Sequence, residues 1–150
     1  MPTFELTPQL MREIIMDHYE SPRHKGVPSS SEGYAKLHAG SVNCIDDYDM
    51  YLKVVDDKVS DAMWDGVACT ISSASTDILC DLLIGKDKKE SDFIIDQYLA
   101  MIQGKEFDES VLDEALVFIN TGRQPARIHC ATMGWDTMKQ LLEEVGHGGH

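Results

Sequence analysis

Much is missing from this 150-residue chain, and each gap excludes something. Positive charge is scarce. Thirteen lysines and arginines stand against 26 aspartates and glutamates, for a formal net charge of −13. Such a field disfavours nonspecific binding to nucleic acid or an anionic membrane, and attracts a basic protein surface. No apolar run approaches the roughly 18 residues of a membrane span. The first residues, Met-Pro-Thr-Phe-Glu-Leu-Thr-Pro, lack the basic region and apolar core of a signal peptide, so a cytoplasmic protein is expected. A Gly-rich phosphate loop, a Gly-x-Ser-x-Gly elbow, a His-Glu-x-x-His helix and a Cys-x-x-Cys pair are all absent. Phosphoryl-transfer and hydrolase chemistry therefore have little support.

What remains is an ordinary globular composition, 43% hydrophobic, sized for a single domain over residues 1–150 with a flexible tail from about 146. Thr7 to Tyr19 reads as a helix, capped by Thr7 with Pro8 in its first turn. Strands follow: a weak alternation over 34–39, a clear one with Tyr48, Met50, Leu52 and Val54 on one side, and a return over Val59–Trp64 after an Asp56-Asp57-Lys58 turn. From Ser72 the period becomes helical, with Gly85 as a stop. Further helices are expected over Ser91–Gln103, Val111–Phe118 and Met133–Val145. The order predicts an α+β fold, a three-stranded antiparallel sheet with helices packed on one face.

Four cysteines carry the chemistry. Cys44 and Asp46 precede the best strand on one side of its alternation. Cys69 lies between a strand and a helix, where a helix N-terminus favours a thiolate. Cys130 is placed just before the last helix, beside His129. Three thiolates with Asp46 or His129 make a tetrahedral zinc site or an anchor for iron and sulfide, if the junctions converge. Cys80, inside a helix beside Leu79 and Leu83, reads as packing. His18 reads as a structural hydrogen-bonding group, His38 as a strand-surface residue, and Asp47, Asp49, Asp56, Asp57 and Asp61 as a solvated sheet face.

Four blocks together resemble the U-type iron–sulfur cluster assembly proteins, the NifU N-terminal/IscU/SufU family. They are Asp17-His18-Tyr19-Glu20-Ser21-Pro22-Arg23-His24-Lys25-Gly26, Cys44-Ile45-Asp46, Gly66-Val67-Ala68-Cys69-Thr70-Ile71-Ser72-Ser73-Ala74-Ser75, and Pro125 to Trp135 around Cys130. The segment between Gly85 and Pro125, and Arg127, are similar to the SufU branch. Ile45, Val42 and Ala68 depart from the family's usual residues, and Ile45 removes backbone freedom beside Cys44. His129 departs from SufU-like chains and matches IscU-like ones.

The resemblance implies zinc held by Cys44, Asp46, Cys69 and Cys130, with His129 as the alternative fourth ligand, and a transient iron–sulfur cluster in the scaffold variant. It implies a pyridoxal-phosphate-dependent cysteine desulfurase as partner, and downstream assembly proteins or apo-proteins as recipients. In the SufU picture Cys44 accepts the sulfur; in the IscU picture Cys130 does. Either way the chain works with a desulfurase rather than as a stand-alone enzyme. A structural zinc module that docks partners is the competing class.

Overall fold

Local chemistry sets the first helix. The Thr7 hydroxyl accepts the N–H of Leu10 at 3.1 Å, and Pro8 opens helix α1, Pro8–Glu20. The computed structural model describes residues 6–30, 32–40 and 45–148, the last three by backbone path alone. Val42 and Cys44 therefore lie outside the described residues. Strands β1 (Tyr34–Gly40), β2 (Asp47–Val55) and β3 (Lys58–Val67) form an antiparallel sheet in the order β1-β2-β3. Asp56 and Asp57, with φ of 54° and 66°, make the tight turn between β2 and β3.

Tyr48, Met50 and Leu52 of β2 face inward with Ala62 and Trp64 of β3, each 2% exposed or less. Helices α2 (Thr70–Leu83) and α4 (Pro125–Gly148) cover that face. Each large side chain so buried contributes roughly 1.5–3 kcal/mol. Helix α3 (Lys88–Ile102) begins with a reciprocal cap, Asp87 accepting from Glu90 N–H and Glu90 from Asp87 N–H, and adds Ile94, Ile95 and Tyr98 to the core. The α+β architecture is thus the expected one.

Helices α2 and α3 start two and three residues earlier than expected, at Thr70 and Lys88, and two larger differences follow. The segment 111–118 is no α-helix: 3-10 turns run over Glu109–Val111 and Asp113–Phe118, parted by Leu112, and Asp113 at φ 47° breaks any regular helix there. Helix α4 starts at Pro125 rather than Met133. Cys130 consequently lies within the helix, in its second turn, instead of ahead of it. Pro125 suits the first helical position, where its missing N–H costs nothing, and Gly134 lets the helix pack closely. A Cβ on Gly134 would meet Thr76 Oγ1 at 2.5 Å and Tyr48 Oη at 3.1 Å. The bare glycine lets α4 close on α2, and Cys130, one turn earlier on the same face, comes with it.

Gly66 shapes the sheet's end. Its φ is 142°, and a Cβ there would lie 2.6 Å from Tyr48 Cα. Gly66→Ala is expected to cost about 1–3 kcal/mol of unfolding free energy by denaturant titration. An unchanged midpoint would show that the β2–β3 end is freer than drawn.

Candidate metal centre

Three elements deliver the centre. Asp47 pairs with Val67 across β2 and β3, so the next residues outward, Asp46 and Ala68, leave the sheet together. Cys69 follows as the N-cap of α2: its Sγ accepts the N–H of Ser72 at 3.4 Å. Cys130 arrives from α4. The carboxylate of Asp46 and the sulfurs of Cys69 and Cys130 offer ligand atoms all within 4.8 Å of one another.

Asp46 is 1% exposed. Its Oδ1 accepts the N–H of Cys69 at 2.7 Å, and its Oδ2 accepts the hydroxyl of Ser72 and lies 3.8 Å from Cys69 Sγ. N–H and O–H donors thus take the place of water around this buried carboxylate. The spacing also suits a metal. Zinc at about 2.3 Å from sulfur and 2.0–2.2 Å from oxygen puts tetrahedral ligands roughly 3.5–3.8 Å apart. The donor set, two soft thiols and a carboxylate, fits zinc or iron rather than magnesium or calcium.

The other sequence candidates fall elsewhere. Cys44 lies outside the described residues. His129 is exposed and is no member of the group; its charge acts on Asp136, two turns further along α4, where burial raises the carboxyl and His129 opposes that rise. Cys80 is fully buried, and desolvation pushes its thiol well up, which suits packing. His38 lies on the sheet's outer face between Asp47 and Asp49, at 2.7 and 3.0 Å.

His18 is indeed a buried hydrogen-bonding group, but its partners were not visible in the sequence. Nδ1 meets Asp77 at 2.7 Å and Nε2 meets Glu114 at 2.9 Å. Asp77, fully buried, also accepts the N–H groups of Arg23 and His24 and of the Trp64 indole. The carboxylate thereby seats the turn after α1 against the edge of β3, where Gly26 N–H donates to Trp64 and Trp64 N–H to His24. Ser72 was likewise unmarked beyond its place at a helix start. The one available signal was the hydroxyl-rich run Ser72-Ser73-Ala74-Ser75-Thr76-Asp77, whose five polar members are all buried.

Residues 10–145 match the NifU-like N terminal domain. The chain belongs to that family. The zinc-dependent sulfurtransferase SufU of Bacillus subtilis (strain 168) is 34% identical over 139 residues, covering 91% of this chain and 92% of its own length. The iron–sulfur cluster assembly scaffold protein IscU of Streptococcus pyogenes serotype M1 is 30% identical, covering 94% of this chain and 87% of its own. The crystal structure of FiSufU from Fervidobacterium islandicum AW-1, named as a cluster assembly scaffold for the SUF system, superposes with a TM-score of 0.79 at 30% identity, over 87% of this chain and 94% of that one. Among the described residues no helix is long and apolar enough to cross a membrane.

Proposed function

We propose that this NifU-like chain is a cytoplasmic iron–sulfur cluster assembly protein. It accepts sulfur from a pyridoxal-phosphate-dependent cysteine desulfurase at a zinc-type site of Cys44, Asp46, Cys69 and Cys130. The observation that carries this reading is the meeting of Asp46, Cys69 and Cys130 from three elements within 4.8 Å. The SufU relative, named a zinc-dependent sulfurtransferase, supports it.

The residues divide the work. Asp46, Cys69 and Cys130 hold the ion, and Cys44 completes the set. Bound zinc keeps its sulfur ligands as thiolates at neutral pH. The Cys44 thiolate attacks the terminal sulfur of the desulfurase persulfide. A bond forms between Cys44 Sγ and that sulfur, the partner's S–S bond breaks, and the desulfurase cysteine leaves as a thiolate. Cys44 is oxidised to a persulfide as the desulfurase persulfide is reduced to a thiol, so the oxidising equivalents travel with the sulfur and no outside oxidant is needed. The site rim suits a docked partner: Ile45 and Val67 flank it and are 76% and 62% exposed.

A second reading, a scaffold on which clusters are built with Cys130 as acceptor, is favoured by the relatives named IscU and by the same two-thiol pair. The experiment separates them. Chain purified without added metal is expected to carry close to a single zinc ion, and Cys44→Ala to lose most of it together with sulfur acceptance. Anaerobic mixing with desulfurase, cysteine and iron is expected to stimulate desulfurase turnover with no chromophore retained. A retained chromophore would favour the scaffold, and undiminished sulfur acceptance by Cys44→Ala would remove that residue from its role.

A further inference from the structure

Ser72 stands at the third position of α2, where an exposed glutamate or glutamine often completes a helix cap. Here it is wholly buried and touches all three residues of the centre. Its N–H donates to Cys69 Sγ at 3.4 Å. Its hydroxyl donates to Asp46 Oδ2 and lies 3.6 Å from Cys69 Sγ and 3.0 Å from the carbonyl of Cys130. The oxygen it holds is the one facing the Cys69 sulfur, 3.8 Å away.

From this we infer that Ser72 is the positioning residue of the centre, setting which oxygen of Asp46 is offered to the metal. The inference rests on Asp46 being a ligand. A carboxylate can turn about its Cβ–Cγ bond. Cys69 N–H pins Oδ1 from one side, and the Ser72 hydroxyl pins Oδ2 from the other, so the plane of the group is fixed before an ion arrives. The hydroxyl has a single proton and two acceptors within reach, the carboxylate and the Cys130 carbonyl. It therefore keeps a place to donate, on α4, when the carboxylate engages a metal.

The test is a double-mutant cycle on the full chain, with zinc affinity read by competition against a chromophoric chelator. Ser72→Ala is expected to weaken zinc by roughly 10–100-fold in the native background. In an Asp46→Ala background the same change is expected to alter affinity by less than about 2-fold. Ser72→Thr, which keeps the hydroxyl, is expected to recover most of the native affinity. The cobalt(II) d–d bands of Ser72→Ala are expected to shift, reporting a changed ligand field on the folded protein. Equal losses in both backgrounds, or no loss at all, would overturn the role of Ser72. Zinc held as tightly by Asp46→Ala as by the native chain would instead overturn the ligand set beneath it.

Discussion

Replacing Asp77 by alanine is expected to lower the unfolding free energy by about 3–5 kcal/mol, because it strands buried donors around an emptied position. Four donors converge on this one carboxylate: the His18 ring, the backbone N–H groups of Arg23 and His24, and the Trp64 indole. Denaturant titration measures the loss, and a change under about 1 kcal/mol would refute the account. Both ring nitrogens of His18 face carboxylate oxygens, so both bonds can be donated only by the imidazolium. Burial alone pulls this histidine down, but the bonds and charges of Asp77 and Glu114 outweigh it, and its pKa ends above the ordinary 6.5. Burial likewise pushes Asp77 up, and the His18 bond with the N–H donors reverses it, leaving the carboxyl below 3.8.

The signs give a window. The His18 contribution is fully present below 6.5 and fades as pH climbs through the raised value. The Asp77 contribution is present above 3.8 and fades as pH falls through the lowered value. The melting temperature is therefore expected to fall on the alkaline side in the native chain. In His18→Gln, which cannot take up that proton, the alkaline decline is expected to flatten. An identical slope in both would place the titration elsewhere.

The second large effect concerns the thiols. Under the proposed site, Cys69→Ala is expected to weaken zinc by about 100-fold or more: roughly 10–16 kcal/mol of binding spread over the four proposed ligands is about 3 kcal/mol each. The same change removes the cap of α2, costing about 1 kcal/mol of apo-protein stability besides. Cys80→Ala is the contrasting variant. It leaves a small hole in the core, worth about 1 kcal/mol, and zinc affinity is expected to stay native. Zinc loss in Cys80→Ala alone would dismantle the ligand assignment.

Features decided by near neighbours were legible in the chain. Thr7 before Pro8, the paired aspartates of the β2–β3 turn, and the alternation of Tyr48, Met50 and Leu52 each carry their own instruction. Cys69 at a strand-to-helix junction was legible for the same reason, since a cap acts within one turn. Features decided by distant partners were not. Nothing around Asp77 announces His18, 59 residues away, or nothing around Ser72 the carbonyl 58 residues on. Cys130 was misplaced because the apolar periodicity of α4 is clear only from Met133, whereas the helix already begins at Pro125. The family blocks left the fourth ligand open between Asp46 and His129, and among the described residues it is Asp46 that lies beside Cys69 and Cys130.

The double duty of Cys69 has a consequence for injury. A peroxide or an alkylating reagent that consumes this sulfur also withdraws the acceptor on which the first turn of α2 leans. Chemical damage at the centre is thereby converted into fraying of a helix end, so a spoiled molecule differs in shape from a sound one, and hydrogen exchange at Ser72 N–H would register the wound.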